Sequence, residues 1–302
     1  MLFRSSVFRK IRKTLTKRVL GHLEEVATNE GNKYREFWLQ YGPIVREGIA
    51  ADFENREALA KLLRFKSSHH EDKTALVGLA EYVGRMKEGQ TEIYFASGPE
   101  VRSIERNPNL EAFRAKGVEV LYLTDPVDEF VLNNLYEFEA KKFISIEDGN
   151  AKVSELKTGD TAEKPEEQKP DDKVPDGFDR VVSLFKDALG ERVEDIRASG
   201  RLTTSVACLV SPTGAFSAAL ERVLNAGSTK FKPAKRVLEL NPKHPLIDRL
   251  ISLANDAENV HFVKNCGQQI YANLMLLDGV VPDPHETADR MLNFMNELAQ
   301  KR

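Results

Sequence analysis

The sequence predicts a chain of mixed α/β and α+β class: a helical segment, then a small βαβαβ subdomain, then an α+β domain ending in a helix hairpin. Three observations carry this. Up to about residue 90 apolar side chains recur at helical steps. From Thr91 short β-rich runs alternate with helical ones. After a polar, proline-containing stretch the mixture resumes and closes in two helices. The expected divisions are 1–90 helical, 91–153 α/β, 154–176 an acidic flexible linker, and 177–302 a C-terminal dimerisation domain.

The first helix carries Val7, Ile11, Leu15, Val19, Leu23 and Val26 on one face, with Arg4, Arg9, Lys10, Arg12, Lys13, Lys17 and Arg18 around it and no acid before Glu24. So basic an opening also reads as a mitochondrial transit peptide, but the apolar face continues past any cleavage point, which favours a folded helix. After a turn at Asn29 to Asn32, a helix with Tyr34, Phe37, Trp38 and Tyr41 is expected to stop at Gly42-Pro43, followed by short helices over Ile44 to Ala51 and Asn55 to Phe65. The aromatics fit a core, with a ligand or partner contact for Trp38 as the alternative. His69-His70-Glu71-Asp72 has the residue types of a metal site but neither the spacing nor a third ligand nearby, and precedes a helix expected from Asp72 to Met86.

Strands are expected at Ile93 to Ala96, Val118 to Leu123 and Lys142 to Ile146, with helices from Glu100 to Lys116 and from Pro126 to Ala140 between them. Asp125 as N-cap, Pro126 at the first helical position, and Asp128 and Glu129 in the first turn make a strong helix start. The same acids at a strand's C-terminal end also admit a catalytic or Mg²⁺-binding reading. No glycine-rich phosphate loop, GxSxG or HExxH accompanies them.

Between Ser154 and Asp176 there is no aromatic residue, and dense Glu, Asp and Lys cannot bury enough area to offset ordering. Beyond it a helix from Phe178 ends at Gly190, and strands are expected at Val193 to Ala198, Ser205 to Val210 and Arg236 to Leu240. A helix from Ala215 to Asn225 carries Phe216, Leu220, Val223 and Leu224 on one stripe, ahead of a loop with Lys230, Lys232 and Lys235. The stripe reads either as core or as an exposed apolar strip. The last hairpin carries Val263, Cys266, Ile270, Leu274 and Leu277 on its first helix and Ala288, Met291, Leu292, Met295 and Leu298 on its second. A terminal hairpin covers one side of itself, so a second copy is a natural cover for the other; docking back onto its own domain is the alternative.

Charged residues make up 30% of the chain with a net charge of -3, which excludes a global attraction to nucleic acid or to acidic membranes. The two cysteines, Cys208 and Cys266, fall at apolar positions and are expected as buried thiols in a reducing compartment. No apolar run reaches the roughly 18 residues that span a bilayer.

Several stretches resemble a known family. Asn55 to Phe65, Tyr82-Val-Gly-Arg-Met86 and above all Val118-Glu-Val-Leu-Tyr-Leu-Thr-Asp-Pro-Val-Asp-Glu-Phe130 are similar to the middle domain of heat-shock-protein-90 chaperones. Arg201-Leu-Thr203 and Glu239-Leu-Asn-Pro-Lys-His-Pro245 resemble the C-terminal domain of the bacterial, HtpG-type branch. The resemblance implies a non-catalytic portion of such a chaperone. The family's ATP and Mg²⁺ bind in a preceding domain, the family's phosphate-contacting arginine lies just ahead of the residues that Met1-Leu2 resemble, and Phe3 stands where a nucleotide-contacting glutamine is common. No cofactor is therefore expected in this chain. It also implies a four-helix homodimer interface from the terminal helices, client contact at Phe216, Leu220, Val223 and Leu224, and a cytoplasmic location, the basic N-terminus leaving an organellar one open. Because the chain stops at Leu298-Ala-Gln-Lys-Arg302 without a Met-Glu-Glu-Val-Asp tail, no tetratricopeptide co-chaperone is expected, nor nucleic acid or membrane. Two other classes remain beside it: an enzyme using the acids after Leu123, and an adaptor working through the basic first helix.

Overall fold

The computed structural model describes residues 6–72, 74–156, 174–212, 214–224, 234–280 and 283–300, with the side chains of Ser154, Glu155, Arg222 and Val223 excepted. Most of the expected 154–176 linker, Lys230, Lys232 and the Val223 side chain thus lie outside the described residues. In chain order the elements are α1 (Ser6–Asn29), α2 (Gly31–Ala51), α3 (Arg56–Leu62), β1 (Arg64–Ser67), β2 (Val77–Gly78), α4 (Leu79–Gly84), β3 (Glu92–Ser97), α5 (Val101–Glu105), α6 (Glu111–Ala115), β4 (Leu121–Leu123), α7 (Pro126–Leu135), β5 (Glu137–Phe138) and β6 (Lys141–Ser145). There follow α8 (Phe178–Leu189), β7 (Asp195–Ala198), β8 (Ala207–Val210), α9 (Ala218–Leu224), β9 (Val237–Leu240), α10 (Pro245–Leu253), α11 (Val260–Leu277) and α12 (Pro284–Gln300). They form two compact units, one of residues 1–101 and 119–144, the other of residues 102–118 and 145–302. The division departs from the sequence-derived boundaries: the helical stretch 102–118 belongs with the C-terminal residues.

In the first unit a sheet of order β2-β1-β4-β3-β6-β5 is covered by α2, α3 and α7. β3 and β4 pair in parallel, Phe95 opposite Leu121, as a crossover through helical segments requires. β1 runs antiparallel to both β2 and β4, as does β5 to β6, so the small parallel sheet expected from the sequence is instead a mixed one around the parallel β3–β4 pair. β1 replaces the end of the helix expected to Phe65, because Phe65 and Ser67 alternate inward as a strand allows. β2 likewise replaces the first half of the helix expected from Asp72. The helix expected to reach Ala140 ends at Leu135, and a tight hairpin follows with Tyr136, Glu139 and Ala140 at positive φ.

α2 does not stop at Gly42-Pro43. It runs through, because Tyr34, Trp38, Val45 and Ile49 form one buried stripe across that point. Burying four large side chains outweighs the roughly 3 kcal/mol that an internal proline costs. Gly42 fits beneath Trp38, where an added Cβ would lie 3.2 Å from the indole.

In the second unit β7, β9 and β8 form a sheet with β7 and β9 parallel and β8 antiparallel, packed under α8, α10 and α11. The motifs that carried the C-terminal resemblance are its fasteners. Glu239, buried in β9, takes Arg197 at 2.7 Å and Arg201 Nε at 3.2 Å. Asn241 donates to the Ser205 carbonyl, and His244 Nδ1 accepts from the Leu246 amide to cap α10 ahead of Pro245. Cys208 is fully buried and its thiol pushed up by burial.

Candidate interaction surfaces

The terminal hairpin divides sharply by exposure. α11 packs along α8, so Val263, Cys266, Ile270 and Leu274 are core residues of the second unit. They were expected to face a second copy; within the single chain they pack against α8 with Val181, Leu184 and Phe185. Burial also pushes the Cys266 thiol up to about 11. Leu277, at the end of the same stripe, is exposed.

α12 turns its amphipathic faces the other way. Thr287 and Arg290 are buried against its own unit, whereas Met291, Leu292, Met295 and Leu298 are 51, 57, 63 and 68% exposed. Phe294 is its one large apolar anchor, edge-to-face with Phe262 in the first turn of α11 at 5.8 Å, which makes the two helices antiparallel. A surface helix normally buries its apolar stripe and wets its polar one. Here the apolar stripe is left uncovered in the isolated chain.

α9 is shorter than expected and begins at Ala218, so Phe216 precedes it. Ser217 starts the helix, its hydroxyl accepting from the Leu220 amide. The stripe splits: Leu220 is buried, while Phe216 and Leu224 are 43 and 58% exposed. Phe216 and Leu224 thus remain available to a partner, and Leu220 is core.

The acids after Leu123 are engaged internally. Asp125 caps α7 by accepting from the Val127 amide at 3.0 Å and also takes Arg46 Nη1 at 3.2 Å. Asp128 and Glu129 are not first-turn surface charges but buried: Arg46 Nε lies 2.7 Å from Asp128, and Ser97 Oγ donates to Glu129 at 2.6 Å. Burial pushes Asp128 up to about 7, against the pull of Arg46, whose guanidinium also lies over the Trp38 ring. Trp38 is itself buried. Among the described residues, His69 and His70 included, no group of three His, Cys, Asp or Glu side chains is placed to hold a metal ion.

Three features were not anticipated. Val127 and Phe130 stand exposed on one face of α7, with Tyr136 exposed just beyond it; their helical spacing was visible, but the helix was read only for its acids. The first half of α1 buries none of its face: Val7, Phe8, Ile11, Leu15 and Val19 are all exposed among the basic residues, and packing starts only at Leu20, Leu23 and Val26. Finally, Glu111 accepts from the amides and hydroxyls of Thr203, Thr204 and Ser205. Burial raises its pKa, but those bonds outweigh it and hold the carboxyl down to about 2. A lone Glu ninety residues from its partners gives no sequence signal.

The fold and these surfaces define a mixed α/β protein fastened by buried ion pairs and presenting uncovered apolar strips. The match to known proteins is specific. The family model for Hsp90 protein covers residues 1–301, and the chain belongs to that family. It is 40% identical over 96% of its length to a chaperone protein HtpG of Chromobacterium violaceum, covering 44% of that relative. A chaperone protein HtpG of Mycobacterium avium is 39% identical over 92% of the chain and 42% of the relative. One from Paramagnetospirillum magneticum is 38% identical over 98% of the chain and 47% of the relative. The chain thus spans less than half the length of these relatives.

Proposed function

We propose that this chain is the client-binding and homodimerising portion of an Hsp90-type chaperone, acting in the cytoplasm on partly folded proteins and neither binding nor hydrolysing ATP by itself. The observation that supports it is the inverted amphipathicity of α12, with Arg290 buried and Met291, Leu292, Met295 and Leu298 in water. Pairing two copies through that face, extended by Leu277, removes four or five half-exposed side chains per copy from water, each worth roughly 1 kcal/mol. Val263, Cys266, Ile270 and Leu274 then act beneath the interface as the core that holds it. Phe216 and Leu224 supply a second, smaller strip suited to apolar segments of unfolded chains.

Light scattering on the intact chain and on Met295→Glu/Leu298→Glu tests the pairing. A dimer in the first and a monomer with unchanged circular dichroism in the second are expected; a monomer in both defeats the proposal. Client contact is tested by suppression of aggregation of a denatured protein, which Phe216→Ser should weaken.

A specific observation supports one other reading. The exposed basic, apolar-faced half of α1 has the make-up of a helix that docks on anionic surfaces. Vesicle binding that falls steeply with salt and is lost on Ile11→Glu would favour it.

A further inference from the structure

α9 is seven residues long, too short to persist by its own hydrogen bonds, so something outside it must hold it. Two anchors are present. Ala218 and Leu220 are buried, and Glu221 reaches a buried arginine, Arg236, whose Nη2 lies 3.5 Å from its carboxylate. The opposite side of that guanidinium is taken by Asp278, Nη1 to Oδ2, at 2.9 Å. All three side chains are largely buried, 7% exposed for Arg236, 14% for Glu221 and 17% for Asp278.

The base of Arg236 is fixed. Its carbonyl accepts from the Glu194 amide, and β9 begins at the next residue. Asp278 is fixed as well, because it closes α11. Gly279 at φ 76 donates its amide to Leu276 and Val280 donates to Met275, the paired bonds of a left-handed helix terminus. Met275, Asp278, Val280 and Tyr271 line the same small cavity as Ala218, Glu221 and Arg236. A planar, permanently charged fork holds two carboxylates from different elements at once in a fixed geometry, with less ordering cost than a flexible ammonium.

We propose that Arg236 is the positioning residue for α9, tying the helix between Phe216 and Leu224 to the last turn of α11 and so to the junction that leads into α12. Covering α12 and ordering α9 are then linked through one guanidinium. The link to α12 rests on the pairing proposed above; the anchoring of α9 does not.

Hydrogen exchange read by mass spectrometry separates the two. In Arg236→Met, amides of 218–224 should exchange at least tenfold faster while those of α8 and β7 stay within twofold. Glu221→Gln should reproduce this at 218–224 alone, and Asp278→Asn should loosen 276–280. Arg236→Lys, with one ammonium for two carboxylates, should restore protection only in part. In the unsubstituted chain, raising the concentration across the dimer transition should slow exchange at 218–224, and in Arg236→Met it should not. Unchanged exchange at 218–224 in both Arg236→Met and Glu221→Gln overturns the anchoring. So does an equal rise throughout the second unit, which would make Arg236 a general brace; if Arg236→Met does not fold, Glu221→Gln decides. A concentration dependence surviving in Arg236→Met overturns the link to α12, and a monomer at every concentration overturns both that link and the pairing while leaving the anchoring to the exchange data.

Discussion

Gly267 of α11 lies against the ring of Phe185 in α8, so close that an added Cβ would stand 2.7 Å from Phe185 Cδ1. The missing side chain lets the two longest-packed helices of the second unit approach, and Phe185 fills the space it leaves. Gly267→Ala should therefore destabilise that unit by about 1 to 3 kcal/mol through overpacking, despite alanine's better helix propensity. Thermal unfolding should show the loss, and Phe185→Leu in the same chain should recover part of it.

Glu111 and the Thr203 to Ser205 stretch predict an acid-sensitive fastening. The folded pKa of about 2 is below the ordinary carboxylate value, so the bond's contribution is present above that ordinary value and is lost as pH falls toward 2. Glu111→Gln should cost about 1 to 2 kcal/mol at pH 7. The difference between the two proteins should shrink when denaturation is followed from pH 5 to pH 2.5.

Asp128 carries the opposite sign. Its folded pKa, raised to about 7, means the folded protein holds a proton that the unfolded chain has released, so this group's contribution falls as pH rises from about 4 to 7. Arg46 compensates the ionised form. Arg46→Met should accordingly cost more at pH 8, about 3 kcal/mol for a buried charge left alone, than at pH 5. Urea titrations at the two pH values measure it.

The turn between β5 and β6 places Glu139 and Ala140 at φ 48 and 59, where a Cβ is strained. Ala140→Gly should raise the stability of the first unit by about 0.5 to 1 kcal/mol, offset in part by the entropy of glycine. Denaturant midpoints with an unchanged slope would check it.

The contrast between these features explains what was legible beforehand. α8, α11 and α12 were readable because their stripes are long and periodic, and the start of α7 because Asp125-Pro126 is a local signal. β1 and β2 were not, since four and two residues carry no period. The β5–β6 hairpin was hidden because Glu139-Ala140 has none of the Asn or Gly that usually mark such a turn. At the surfaces, periodicity gave the apolar stripes of α11 and α12 but not which of the two already had a partner. Arg46 with Asp128, Glu111 with Thr203 and Arg236 with Asp278 join residues distant in sequence, and pattern within a window is blind to such pairs.

The uncovered half of α1 has a mechanical consequence. From Ser6 to Val19 the helix runs about 20 Å at 1.5 Å per residue, an arm with an exposed Lys13–Glu54 ion pair at 3.7 Å along it and its apolar packing confined to the root, at Leu20, Leu23 and Val26. Such an arm inherits its helicity from that root, and alone would be at the margin of stability. Trypsin cutting at Arg9, Arg12 or Lys13 should therefore shorten it while the remainder of the first unit melts where it did before.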